Sequence, residues 1–152
     1  ADSRGLAAKR EIHLTIIGSD TAEKILASFE RLNPEEKQRK LAEIRELARK
    51  ISWELNFPPE FYYIKKNYND PDPNNPERTI QETRESIIQV VNTDGLKQFY
   101  KQLQETVGLE LAIPFPHVTL FTTSTREDKR QRGIGIYSDS DFRSLNPEKI
   151  KN

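Results

Sequence analysis

The amino-acid sequence predicts an α+β fold. Short segments rich in β-branched and aromatic residues alternate with longer segments whose apolar residues recur at helical spacing. Their order is too irregular for an array of parallel strands, which favours a sandwich of sheet and helices. The length of 152 residues corresponds to one domain, or to one small domain built of two joined lobes.

The first half of the chain contains two predicted strands and two predicted helices. Residues 12–17 alternate as a strand does, and Asp20 is placed to cap the amphipathic helix that follows. Asn33, followed by proline, predicts the start of a longer helix over 34–55, because asparagine caps helices and proline suits the first helical position. The aromatic residues over 61–66 then predict a strand.

The second half is predicted to contain more strand than helix. Residues 67–77 combine prolines with Asn and Asp and have no apolar period, which is typical of an exposed loop. Beyond this loop the predicted elements are a strand over 86–91, a helix over 94–107 that ends at Gly108, a strand over 117–123, a charged loop over 126–132 and a short strand over 133–137.

The composition excludes several classes of function. The 24 Lys and Arg residues balance the 24 Asp and Glu residues, so the chain lacks the basic excess that tracking along a nucleic acid requires. With no cysteine, disulfide frameworks, thiolate metal sites and cysteine nucleophiles are excluded. No apolar run approaches the ~20 residues of a membrane span, and the N-terminus lacks a signal peptide's apolar segment. We therefore expect a cytoplasmic protein without a membrane partner.

The two histidines of the chain occur in the same short pattern. His13 and His117 are each followed two residues later by a threonine, Thr15 and Thr119, and both pairs lie in predicted strands. On a strand, such a pair shares one face at a spacing of about 6.6 Å. One pair alone is common on an exposed strand. With ten threonines among 152 residues, the chance that both histidines have one at this position is about 0.004.

Two imidazoles and two hydroxyls suit the chemistry of phosphate esters. One imidazole with a pKa near 6.5 can be neutral while the other is protonated, which supplies a general base and a general acid. Hydroxyls donate to the non-bridging oxygens, where negative charge lies during transfer. Neither a metal-ligand cluster nor a Gly-x-Ser-x-Gly elbow accompanies them, so we expect no metal and no cofactor. The pattern leaves open which histidine is the acid.

These motifs resemble those of the two-histidine (2H) phosphoesterase superfamily, which includes the RNA 2′,3′-cyclic phosphodiesterases related to RNA ligase. The resemblance rests on the two His-x-Thr motifs and on the segment 114–120 (Pro-Phe-Pro-His-Val-Thr-Leu), which follows a predicted strand and helix. It implies a bilobal fold, in which two pseudo-symmetric antiparallel sheets with outer helices surround a central cleft. It also implies that His13 and His117 are catalytic, and that Thr15 and Thr119 bind the substrate phosphate.

Four other side chains are possible substrate contacts. Tyr62 and Tyr63 point to opposite faces of their strand, so at most one can stack on a base, and the other packs in the core. Tyr137 follows a Gly-Ile-Gly-Ile segment and can donate to a phosphate, although a packing role is as plausible. Arg126 can attract an anion, but acidic residues interrupt its charged loop, which is more typical of a solvated surface.

The activity that the resemblance implies is hydrolysis of a cyclic phosphodiester, the 2′,3′-cyclic phosphate of a nucleotide or of an RNA end. Two alternatives stay open: hydrolysis of cyclic di- or oligonucleotide second messengers at the same site, and a module that binds a nucleotide or RNA end without turnover. A third is a scaffold in which the motifs are fortuitous. The presence of both titrating rings argues against a binding module, because binding alone does not need them.

Overall fold

A computed structural model describes residues 5–129 and 131–151, and it confirms the predicted mixture of helices and antiparallel strands. The helices are α1 (Ser19–Ser28), α2 (Pro34–Lys50), α3 (Gly95–Val107) and α4 (Asp139–Ser144). The strands are β1 (Ala7–Ala8), β2 (Phe61–Asp72), β3 (Asn75–Val90), β4 (His117–Ser124) and β5 (Glu148–Ile150). A single 3₁₀ turn, Glu127–Lys129, follows β4, and Arg130 of the predicted charged loop lies outside the described residues.

The strands form one antiparallel sheet in the order β1-β4-β3-β2-β5. The predicted strands over 61–66, 86–91 and 117–123 are confirmed as parts of β2, β3 and β4. A two-sheet, bilobal arrangement is not confirmed, because every strand in the described part of the chain joins this one sheet.

The predicted loop over 67–77 is wrong. β2 continues through Tyr68 to Asp72 and pairs with β3 along most of its length, so the two strands form a long hairpin. The prolines are accommodated because they lie near the tip, where the register shifts between Pro71 and Asp72. Asp72 also stabilises the turn, because its carboxylate accepts a hydrogen bond from the backbone N–H of Asn74 at 2.9 Å.

The helices α2 and α3 begin where the sequence predicts, α1 begins before its predicted cap, and α4 has no counterpart among the predicted helices. Asn33 caps α2 and accepts from the Glu36 N–H at 2.9 Å, but this helix ends at Lys50 because Ile51 is extended. Gly108 ends α3 in the left-handed conformation, as expected. α1 begins at Ser19 without a side-chain cap, so Asp20 lies inside the first turn. Over the described residues, no helix is long and apolar enough to span a membrane.

Two clusters of buried apolar side chains hold the fold. The first lies among the helices and includes Ile25, Phe29, Leu96, Phe99, Tyr100 and Leu103. The second lies against the sheet and includes Ile64, Ile88, Ile134 and Ile136. The segments beside the two histidine motifs are anchored in different clusters. Ile16 packs on the first and accepts a hydrogen bond from the Tyr100 hydroxyl at 2.7 Å, whereas Phe115 packs on the second.

The predicted strand over 133–137 is also wrong, although the segment packs as a strand would. Ile134 and Ile136 are buried against the sheet, but no strand is formed there. The carbonyl groups of residues 133–137 instead accept hydrogen bonds from donors outside any paired strand backbone. Gly133 accepts from the Arg84 guanidinium at 3.2 Å, and Ile136 accepts from the backbone N–H of Phe115 at 3.2 Å.

Candidate active site

The two histidine motifs lie side by side. Leu14 and Val118, the central residues of the two motifs, form an isolated antiparallel bridge. The predicted strand over 12–17 is wrong, because Leu14 is the one residue of this segment that pairs as a strand does. In an antiparallel pair with these two opposite each other, His13 lies opposite Thr119 and Thr15 lies opposite His117. Side chains alternate along extended chains, so all four point away from the face that Leu14 and Val118 occupy.

These four side chains line one cavity of about 420 Å³. Its volume is in the range of pockets that hold small ligands. The cavity is also lined by Lys9, Tyr68, Arg84, Arg132 and Tyr137, together with the acidic Glu11 and Asp70. Arg84 is paired with Glu82, so the remaining charges of the lining are those of two cationic and two acidic side chains, which balance formally.

His117 has the environment of a neutral imidazole. Its Nδ1 lies 2.7 Å from the carbonyl oxygen of Phe115, and since a carbonyl only accepts, Nδ1 carries the proton and Nε2 keeps its lone pair. The Phe115 ring lies nearly parallel to the imidazole, with the two ring centroids 6.1 Å apart and an angle of 26° between the ring planes. Burial lowers the pKa of His117 below 6.5; the bond to Phe115 opposes this shift, and the nearby charge of His13 adds to it.

His13 differs from His117 in its exposure. It lies on the solvent-exposed part of the chain between β1 and α1, whereas His117 is partly covered by Phe115. The two rings are near enough for the charge of His13 to lower the pKa of His117. The two imidazoles therefore differ in their access to solvent.

Tyr137 is placed in the cavity by the glycines around it. Its hydroxyl lies 3.3 Å from the Ser19 hydroxyl at the start of α1. A Cβ on Gly18 would lie 2.9 Å from the Tyr137 ring, and one on Gly135 would lie 2.7 Å from its hydroxyl oxygen. Both positions therefore need glycine for close approach. Of the possible substrate contacts predicted from sequence, Tyr137 is the one that lines the cavity.

Gly135→Ala is expected to displace the Tyr137 ring and to lower the free energy of unfolding by about 1 kcal/mol, at the low end for overpacking because the ring can rotate away. In a Tyr137→Ala background the same substitution should cost almost nothing, since the clashing hydroxyl is gone. Urea unfolding of the four proteins of this cycle measures the coupling. An equal cost of Gly135→Ala in both backgrounds would show that Tyr137 does not cause it.

The other three predicted contacts lie outside the cavity lining. Tyr62 makes a T-shaped contact with the Phe142 ring, with the two ring centroids 5.1 Å apart, and packs against the second apolar cluster. Tyr63 points to the other side of the sheet, where its hydroxyl donates to Glu85. Arg126 is paired with Asp128 at 3.0 Å and its side chain keeps 21% of its accessible surface, whereas Arg132 of the same charged loop lines the cavity.

No family model, no curated protein and no solved structure matches this chain. The resemblance to the 2H superfamily therefore rests on the motifs and on the arrangement of their side chains. Among the described residues, no three His, Cys, Asp or Glu side chains form a group that could hold a metal ion.

The sequence did not single out Arg84 or Tyr68, which form part of the cavity wall. The Arg84 guanidinium lies 4.2 Å from the centre of the Tyr68 ring and is paired with Glu82 at 2.9 Å. Its side chain keeps 10% of its accessible surface and that of Glu82 keeps none. Arg84 and Glu82 lie in an almost continuous polar run of β3. Such a run is typical of a solvated strand, so the local sequence pattern does not predict that these two side chains are buried.

Proposed function

We propose that this protein is a metal-independent phosphodiesterase of the 2H superfamily, and that it opens the 2′,3′-cyclic phosphate of a nucleotide or an RNA end. The observation that carries the proposal is the bridge between Leu14 and Val118, which sets each histidine beside the threonine of the other motif. This cross-pairing gives two imidazole–hydroxyl couples around one cavity, which suits a single tetrahedral anion.

In this mechanism His117 is the general base and His13 the general acid. The free Nε2 of neutral His117 takes a proton from water as the water oxygen forms a bond to phosphorus. The bond from phosphorus to one ribose oxygen breaks, and protonated His13 donates its proton to that oxygen. The product is a phosphate monoester, and proton exchange with solvent returns both rings to their starting states.

The hydroxyls stabilise the charge that develops on phosphorus. Thr15 and Thr119 donate to the non-bridging oxygens, which carry more negative charge in the transition state than in the substrate. Tyr137 is a third candidate donor, because its hydroxyl lies in the same cavity.

The bilobal arrangement belongs to this proposal as well, since the two motifs run antiparallel about their bridge as two pseudo-symmetric halves would. So does a cytoplasmic location.

The proposal is tested by incubating the protein with EDTA and a panel of substrates, followed by separation of the products. The panel contains nucleoside 2′,3′-cyclic phosphates, an RNA with a cyclic phosphate end, and a cyclic dinucleotide. Turnover of a 2′,3′-cyclic phosphate under chelation supports the proposal. Cleavage of the cyclic dinucleotide alone would favour a second-messenger hydrolase, and binding without any product would favour a binding module.

The pH dependence of kcat/KM should reflect the low pKa of His117. A base is active only when deprotonated, so activity falls as the pH drops through its pKa. Because burial lowers this pKa from 6.5, the acidic limb of the profile is expected below pH 6.5. The measurement is kcat/KM for a 2′,3′-cyclic nucleotide between pH 4.5 and 8.5, a range chosen to span that limb. An acidic limb at or above pH 6.5 would contradict the assignment of His117 as the base.

A further inference from the structure

The charges that line the cavity are separated between its two sides. Lys9 follows β1, and its ammonium group donates to the carbonyl of Gln131, the neighbour of Arg132, at 2.5 Å. Both cations therefore reach the cavity from the β1 side of the sheet. Asp70 lies on β2, three strands away from β1 in the order of the sheet. The formally neutral lining thus has a basic side and an acidic side.

The two cations of the basic side have donors to offer to a ligand. Within the described part of the chain, no carboxylate forms an ion pair with Lys9 or Arg132. The Gln131 carbonyl uses one of the three N–H groups of the Lys9 ammonium, which leaves two. The backbone of Arg132 is held in place, because its carbonyl accepts from the Thr122 hydroxyl at 3.2 Å, and the residue is exposed to solvent.

The basic side begins next to Thr119, which the proposed mechanism places on the phosphate. The backbone N–H of Lys9 donates to the carbonyl of Leu120, the residue after Thr119, at 2.8 Å. Gly133, which follows Arg132, lies against Thr119, since a Cβ added to this glycine would be 3.3 Å from the Thr119 hydroxyl oxygen. Lys9 and Arg132 therefore flank the position just beyond the phosphate that Thr119 binds.

The formal charge of the basic side matches that of a phosphodiester. Lys9 and Arg132 carry one positive charge each, and the exposed Glu11, which also lines the cavity, carries one negative charge. Two minus one leaves one positive charge, which balances the single negative charge of a diester. A phosphate monoester carries about 1.5–2 negative charges at pH 7 and is matched less well. On the opposite side, the negative charge of Asp70 disfavours an anion.

We propose that Lys9 and Arg132 form a second anion subsite, which binds the phosphodiester that precedes the terminal cyclic phosphate of an RNA strand. This linkage is the anion of the strand that lies nearest to the terminal phosphate. Contacts from lysine and arginine to such a linkage add affinity without reading the sequence. The inference rests on the proposed function and narrows its substrate to an RNA end instead of a free nucleotide.

The test compares uridine 2′,3′-cyclic phosphate with the dinucleotide UpU that ends in the same cyclic phosphate. We expect the wild-type protein to cleave the dinucleotide with a kcat/KM about tenfold higher, as one added hydrogen bond from a charged donor predicts. Arg132→Gln should lower this ratio about threefold or more and leave kcat/KM for the mononucleotide unchanged. Arg126→Gln, the same change in the same loop but outside the cavity lining, should leave the ratio unchanged.

A methylphosphonate linkage separates the charge of the diester from contacts of the added nucleoside. It replaces the anionic oxygen by a methyl group, so the wild-type preference for the dinucleotide should be lost, and Arg132→Gln should then have no effect. A preference that survives the neutral linkage, or an unchanged ratio in Arg132→Gln, would overturn the subsite. An equally large gain from a 5′-phosphate on the mononucleotide would overturn the assignment to a diester.

Calorimetry separates this inference from the proposed function. If neither substrate is cleaved, the phosphodiesterase is contradicted and binding decides the subsite. The wild-type protein should bind UpU with a 3′-phosphate about tenfold more tightly than uridine 3′-monophosphate, and Arg132→Gln should reduce this difference. Equal affinities in the wild-type protein would overturn the second subsite whether or not the protein is an enzyme.

Discussion

Replacement of either His13 or His117 by alanine is expected to lower kcat/KM for a 2′,3′-cyclic phosphate by about 10²–10⁴-fold. Each substitution removes one of the two proton transfers that the reaction needs. Since the two rings act as a unit, the double variant should be little worse than either single variant. Steady-state kinetics with EDTA present measures all three.

Threonine variants on β4 provide the matched control. Thr119→Val removes a hydroxyl from the cavity and should lower kcat/KM by about 10²–10³-fold if this donor stabilises the transition state. Thr123→Val makes the same change on the same strand but outside the cavity lining, and should leave kcat/KM unchanged. Full turnover by a folded alanine variant of either histidine would contradict the two-histidine mechanism.

Glu82→Ala is expected to lower the free energy of unfolding by about 3–5 kcal/mol. The substitution leaves the Arg84 guanidinium buried without its counter-charge, and it leaves the Ser124 hydroxyl without its acceptor. Removing one partner of a buried pair is costly because the remaining charge is neither paired nor solvated. Urea denaturation followed by circular dichroism measures the change.

The exposed pair between Arg49 and Glu46 on α2 is the control for this prediction. Its atoms are also 2.9 Å apart, but its side chains keep 75% and 53% of their accessible surface. Glu46→Ala should therefore cost no more than about 0.5 kcal/mol. If Glu82→Ala were as mild as Glu46→Ala, burial of the Arg84 charge would not be what makes this pair important.

Local signals account for the parts of the fold that the sequence predicts correctly. Asn33 caps α2 through its own side chain, and Gly108 ends α3 in a conformation that glycine adopts readily. The strand that carries His117 alternates in the way a half-buried strand does. Each of these features depends on residues only a few positions apart, so the sequence is enough to recognise them.

The parts that the sequence predicts wrongly depend on contacts between distant segments. The hairpin arm beyond Lys66 looks like a loop because its composition is polar, but pairing between β2 and β3 satisfies its backbone. Residues 133–137 have the composition of a strand, yet their carbonyl groups accept from Arg84 and Phe115. The approach of Arg84 to the histidine motifs likewise follows from strand order, which no short pattern encodes.

Histidine-selective NMR tests most directly whether both motifs hold one anion, because the chain contains only two histidines. Uridine 3′-monophosphate, which carries a phosphate and needs no turnover, is titrated into the wild-type protein. The account predicts that the imidazole signals of His13 and His117 both shift with a single Kd, and that Thr119→Val raises this Kd for both. A shift of one imidazole only, or two different Kd values, would contradict it.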